Sequence, residues 1–258
     1  MGFLGGFVKN MSSEERYSLS MMKVFFWNIN WIKTFWFNFK ALPFGQAIKI
    51  PFLVSYNTKI KNVGKIILSK SVHTGMVSIG VIRIGDFETN AEKTVFNNMG
   101  TFTVAGNMKM HPGVKVVVRQ GAELSVGERV GFGGNSKVVC HKAITIGNDF
   151  RMSWNSQIFD TDFHFLYNIE KDKHYPRLKP VTIGNNVFVG NGTTIGKGTV
   201  LPDGCVVSCI SKVSGDFTNE GKNLLISGNP AKVLIKGVEM GNSWFMDKED
   251  AIAKQMGE

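Results

Sequence analysis

Between residues 181 and 207 the chain repeats itself every six residues. Val181, Val187, Thr193, Thr199 and Cys205 fall six apart, and Ile183, Val189, Ile195, Leu201 and Val207 follow each of them by two. Gly184, Gly190 and Gly196 close the first three rungs, and Pro202 takes the equivalent place after Leu201. A helix needs a period near 3.6 and a long strand a period of 2. A strict six fits neither; it fits short strands ending in tight turns, stacked as rungs of a parallel β-helix. Such a rung cannot bury its apolar face alone, so it requires neighbours above and below.

The frame extends upstream. Leu124 and Val126-Gly127 are followed by Val130 and Phe132-Gly133; two extra residues shift the register, and it resumes at Val138 and Cys140. Ile144 and Ile146-Gly147, Phe150 and Met152, then Ser156 and Ile158 continue it. Looser rungs run back through Met110, Val104 and Ile84-Gly85 to Ile79-Gly80. The expected β-helix spans roughly residues 75–213 in about six coils. Expected boundaries are an N-terminal aromatic and basic extension over 1–70, the β-helix domain over 71–240, and a tail helix over 241–258.

The repeat stops after Ile158 and restarts at Val181. Repeat folds accept insertions as loops on a corner, and such loops tend to carry function. This one, 159–180, holds Asp160, Asp162, His164 and His174. A carboxylate beside an imidazole fixes its tautomer and stabilises the imidazolium formed when it takes a proton. That makes His164 the candidate base, with Asp160 and Asp162 as its orienting carboxylates. A solvated loop with an incidental histidine is the alternative. His174, set among charges, reads as solvent-exposed.

Net charge is +10, and all of it resides in residues 1–120, where 15 Lys and Arg face 5 Asp and Glu. That asymmetry points to an anionic partner surface. Residues 21–44 interleave Phe25, Phe26, Trp27, Trp31, Phe35, Trp36, Phe37, Phe39 and Phe44 with Asn and Lys. The interruptions exclude a membrane span of ~20 apolar residues. Two readings stay open: a helix lying in an anionic membrane interface, or a cap over the open end of the β-helix. Scattered lysines without a recognition motif argue against nucleic acid as a partner. Residues 1–10 lack a basic region followed by an apolar run, which predicts a cytoplasmic protein. Cys140, Cys205 and Cys209 are few and mostly in rung positions, as buried thiols would be.

The hexapeptide rungs, Asp-Thr-Asp-Phe-His at 160–164, Val-Thr-Ile-Gly-Asn-Asn-Val-Phe-Val-Gly at 181–190 and Ser-Gly-Asn-Pro-Ala-Lys-Val-Leu at 227–234 together resemble one family. It is that of the hexapeptide-repeat acyltransferases, and the match is closest to sugar O-acetyltransferases of surface-polysaccharide synthesis. The resemblance implies an all-β, left-handed parallel β-helix, a homotrimer, and acetyl-CoA as co-substrate without a metal. It implies a sugar or glycan acceptor and His164 as general base. The backbone amide of Asn191, just after Gly190, would hold the oxyanion. Phe188 would wall the acyl-CoA site, where the family often has Trp. An amide near Cys209 would hold the pantetheine arm, and Ser214 and Lys232 would meet the rest of the CoA. Ser214 stands where the family often has Thr-Lys. Two alternatives remain: N-acetylation of an amino sugar nucleotide, and a non-catalytic or zinc β-helix using His111, His141 and His164. A cysteine nucleophile is disfavoured by the rung positions of Cys140 and Cys205.

Overall fold

The computed structural model describes residues 27–69, 71–81, 92–240 and 256. Three parallel sheets of nine, seven and six strands form the faces of a triangular prism. The chain visits them in rotation. Phe52–Val54 lies on the first face, Thr58–Asn62 on the second and Lys65–Leu68 on the third, and Val77–Ile79 returns to the first. Six coils and a partial seventh follow this path, giving a left-handed parallel β-helix.

The six-residue frame is the inward column. On the first face Val54, Ile79, Met110, Phe132, Met152, Val189 and Val207 stand in register, one per coil, and all are buried. Phe96, Val116, Val138, Ile158, Ile195 and Val213 do the same on the second face. Leu68, Val104, Val126, Ile146, Ile183 and Leu201 do so on the third. Thr193, Thr199 and Cys205 also point inward and are wholly buried. The two hydroxyls there are satisfied by carbonyls: Thr193 Oγ1 donates to Ser208 O and Thr199 Oγ1 to Gly196 O. Small β-branched residues suit these positions because burying an unpaired hydroxyl is costly.

The first coil begins at Phe52, well before the expected start near residue 75, so residues 52–68 belong to the β-helix and not to the extension. The reason lies in the turns. Val206 follows its partner Phe188 by 18 residues, three rungs of six, whereas Val77 follows Phe52 by 25 and Met108 follows Val77 by 31. Longer corners break the six-residue frame while leaving the inward columns intact.

The open N-terminal end is capped by the helix Trp31–Ala41, whose N-cap Asn30 accepts from Lys33 N. An edge strand exposes unpaired backbone groups. Here two helix side chains pair them. Asn38 accepts from Phe52 N–H at 3.0 Å and donates to Phe52 O at 2.8 Å, and Thr34 Oγ1 accepts from Val54 N–H at 3.0 Å. Phe37 plugs the prism, edge-on to Phe52 and Phe96 at 4.9 and 5.5 Å. The opposite side of the same helix leaves Trp31, Ile32, Phe35, Trp36 and Phe39 exposed. At the other end Leu224–Gly228 adds to the first face, and Ala231–Lys236 pairs back on it antiparallel. The tail helix expected over 241–258 falls, but for Met256, outside the described residues. So does Ile84 of the looser rungs. No helix among the described residues is long and apolar enough to cross a membrane.

Candidate active site

The strand Gln157–Phe159 on the second face ends at the corner where the loop leaves for the third face. Asp160, the first loop residue, is fully buried. Its Oδ1 accepts the His141 N–H at 2.7 Å, and its Oδ2 accepts those of Lys142 at 2.6 Å and Ala143 at 2.8 Å. Asp160 therefore binds the loop root to the corner of the coil below. The role of orienting His164, expected from the Asp-x-Asp-x-His spacing, does not fit these contacts. Asp162 is also engaged elsewhere, in an ion pair with Lys197, whose Nζ further donates to Pro176 O at 2.5 Å. Both carboxylates thus position the loop. The cause is local: a corner presents free amides, and a charged acceptor next to them is drawn in first.

The loop's two limbs close on each other. Thr161 bridges Leu178, Asp162 N–H donates to Arg177 O at 2.9 Å, and Lys179 N–H donates to Asp160 O at 3.0 Å. A short hairpin, Leu166–Asn168 with Lys173–Tyr175, makes the tip. Between root and tip Phe163 takes φ +62°, a left-handed conformation that costs energy for a bulky residue. Its ring packs against Phe159 and His141, each 5.5 Å away. This turn presents His164 to solvent, its N–H held by Asp162 O at 2.7 Å. No described side chain hydrogen-bonds its imidazole. Arg177 lies 4.8 Å over the ring of Phe165, on the other side of His164.

His141 entered the sequence reading only as a zinc candidate. It stacks under the loop root because Val139 is in register with Phe159. Partial burial and the charge of Arg119 hold its imidazole below the ordinary range, against the pull of Asp160. The signal was present in the hexapeptide frame, which puts 141 and 161 at equivalent corner positions. The three zinc candidates do not meet: His111 is buried at the corner of the first and second faces, His141 at that of the second and third, and His164 is out on the loop. Among the described residues no three His, Cys, Asp or Glu side chains could hold a metal ion.

Asn191 and Cys209 occupy the corner between the first and second faces, one coil apart. Neither backbone N–H donates to any described group, whereas the flanking Gly190 and Gly192 amides are paired to Val207 O and Trp154 O. Gly190 is required there, since a Cβ would lie 2.5 Å from Cys209 N. Phe188 stands on the adjacent first face, half-buried, between Arg151 and Val206. Lys232 is exposed on the closing hairpin strand, opposite Ser227. Ser214 stands apart, exposed after Val213 on the corner that also bears the loop. Within one chain, then, His164 and the free amides are on neighbouring corners, separated by the second face. Burial pushes the thiol of Cys140 up to about 12 and that of Cys205 up to about 11, so neither supplies a thiolate near neutral pH.

A rotating three-faced coil, a corner loop carrying an exposed histidine and a column of free corner amides define the fold of the hexapeptide-repeat acyltransferases. The chain matches no protein-family model. It is 33% identical over 201 residues to an uncharacterised 24.8 kDa protein of the cps region of Klebsiella pneumoniae, covering 78% of this chain and 86% of that protein. It belongs to the same family as that protein. The polySia-specific acetyltransferase NeuO shares the fold, with a TM-score of 0.54 and 22% identity over 79% of this chain and 88% of NeuO. The polysialic acid O-acetyltransferase OatWY is similar with a TM-score of 0.42 and 20% identity, over 75% of this chain and 94% of that one.

Proposed function

We propose that the protein transfers the acetyl group of acetyl-CoA to a sugar hydroxyl of a glycan. The observation that carries this reading is the pair of free, stacked amides at Asn191 and Cys209, with an exposed imidazole on the neighbouring corner. Those groups match the needs of acyl transfer. A sugar hydroxyl attacks a thioester only as its proton leaves, and the imidazole of His164 takes that proton. The new C–O bond forms a tetrahedral oxyanion, held by the Asn191 N–H. The C–S bond then breaks, and the departing CoA sulfur takes the proton back from His164. The products are the acetyl ester and free CoA. The amide of Cys209 holds the pantetheine arm, Phe188 walls it, and Lys232 meets CoA phosphates through a charge-assisted contact.

Two copies complete the site. His164 of one chain meets Asn191 and Cys209 of a neighbour packed beside it, as in a homotrimer, because one chain places them on different corners. NeuO, whose fold is similar, is a polySia-specific acetyltransferase, and the family relative comes from a cps region. Both favour a polysaccharide acceptor. The exposed apolar side of the cap helix, Trp31, Ile32, Phe35 and Phe39, rests on an anionic membrane with Lys40 and Lys49 beside it, at the cytoplasmic leaflet.

The test follows free thiol release from acetyl-CoA with sugars, amino sugar nucleotides and capsule-type polysaccharides as acceptors. Release with a hydroxyl acceptor, abolished in His164→Ala, supports the reading. Transfer only to amines would replace it with N-acylation.

A further inference from the structure

The corner that carries Asn191 and Cys209 continues down the prism. Backbone hydrogen bonds join it coil by coil: Gly192 N–H to Trp154 O at 3.2 Å, Asn155 N–H to Gly134 O at 2.9 Å, Asn135 N–H to Pro112 O at 3.0 Å. In the first coil the same corner is made by Tyr56 and Asn57, between Phe52–Val54 and Thr58–Asn62. There the cap helix meets the coil in a cleft of about 410 Å³. Lys33, Lys59 and Lys93 line it with Trp36 and Tyr56, and no acidic residue does.

The chemistry of this cleft is specific. Lys33 Nζ spends two donors on Tyr56 O and Thr58 O, at 2.7 and 2.9 Å, which fixes its charge in place. Neither Lys59 nor Lys93 has a carboxylate partner among the described residues. Glu92, the nearest acid in sequence, is taken by Lys115. Burial and the charge of Lys93 both hold Lys33 below the usual lysine range, the mark of cations crowded without a counter-ion. The rings of Trp36 and Tyr56 are 52% and 63% exposed. Exposed aromatic faces beside fixed cations suit a sugar ring, with its apolar C–H face and a pendant negative group. A second recess lies between, on the same corner, lined by Lys115, Lys137, Asn135, Asn155, Gln157 and Glu92. From the first coil to the sixth there are five steps of about 4.8 Å, so cleft and amides are roughly 24 Å apart. Only an extended chain can occupy both.

We propose that the Lys33–Lys59–Lys93 cleft with Trp36 and Tyr56 is a distal subsite for an acidic polysaccharide, whose chain runs along the corner to the acyl-transfer centre. This rests on the acyl-transfer reading and narrows its acceptor to a polymer of anionic sugars.

Binding of the full-length protein to polysialic acid, polygalacturonate, hyaluronan and neutral dextran is measured by affinity electrophoresis at low salt. The wild type is retarded by at least one acidic polymer and not by dextran. Lys59→Gln/Lys93→Gln and, separately, Trp36→Ala weaken that retardation about tenfold or more, the scale of one lost charge-assisted contact. Acetyl-CoA affinity and melting temperature stay at wild-type values, which excludes misfolding. His164→Ala keeps polymer binding, so loss of the catalytic reading and loss of this one are told apart. Failure to bind every acidic polymer, or equal binding by the cleft variants, overturns the proposal. So does loss of binding to phosphatidylglycerol vesicles alone in Lys59→Gln/Lys93→Gln, which would make the occupant a lipid headgroup.

Discussion

Replacing Asp160 with Asn changes one atom's chemistry at a fully buried point, and the structure fixes what that does. The carboxylate accepts three backbone N–H groups, at 2.6–2.8 Å, from His141, Lys142 and Ala143. An amide keeps one acceptor oxygen. Turned toward Lys142 and Ala143, it retains two neutral bonds in place of charge-assisted ones and aims its own NH₂ at the His141 N–H. One charge-assisted bond is worth about 1.5–3 kcal/mol and a neutral one about 1, so the loss is about 3–5 kcal/mol. That corresponds to a fall in melting temperature on the order of 10 °C. Hydrogen exchange localises it: the amides of residues 141–143 lose protection while those of the inward columns above and below keep theirs. Activity falls because the loop root loosens, and raising acetyl-CoA does not restore it. Suppose instead that Asp160→Asn melts like the wild type, keeps protection at 141–143 and still loses as much activity as His164→Ala. Then the carboxylate acts on the imidazole, and the positioning role argued here is wrong.

Other outcomes follow from the same geometry. His164→Ala lowers the acetyl-transfer rate by roughly 10²–10⁴-fold with acetyl-CoA affinity unchanged, whereas His174→Ala, out on the hairpin against Tyr167, costs little; steady-state kinetics on both variants decides which histidine matters. Gly190→Ala forces a Cβ to within 2.5 Å of Cys209 N, and the coil shift that relieves it costs about 1–3 kcal/mol and raises the KM for acetyl-CoA; an unchanged KM would remove that corner from the acyl-CoA site. Iodoacetamide at pH 8 should label Cys209, the exposed thiol, and spare the raised thiols of Cys140 and Cys205, with acetyl-CoA slowing the labelling as read by mass spectrometry. Flotation with anionic vesicles at low salt should carry the wild type but not Trp31→Ser/Phe35→Ser; a wild type that stays at the bottom of the gradient with its assembly intact refutes membrane contact.

How much was legible in the amino-acid order varies along the chain, and the reason is coil length. In the last coils each turn of the prism takes 18 residues, so the inward columns print as a six-residue frame, and Ile183, Val189, Ile195, Leu201 and Val207 could be assigned to the core one by one. The same columns run through Val54, Ile79 and Met110, but corners of irregular length hide them, and the first coil at Phe52–Leu68 passed for an extension. The loop and its histidine were visible as a break in the frame. Their electrostatics were not, because Asp160 acts on amides some eighteen residues earlier that only coil stacking brings beneath it. His141 becomes a neighbour of the loop for the same reason. The aromatic segment posed a choice between cap and membrane surface, and sequence treats all its rings alike. Packing separates them: Phe37 enters the prism beside Phe52 and Phe96, while Trp31, Phe35 and Phe39 remain outside on the other side of one helix. A short period in sequence determines which residues face inward. Which corners meet, which carboxylates are already spent and which cations stand unpaired is decided by stacking coils far apart in the chain, where contacts between residues are set by register and not by spacing.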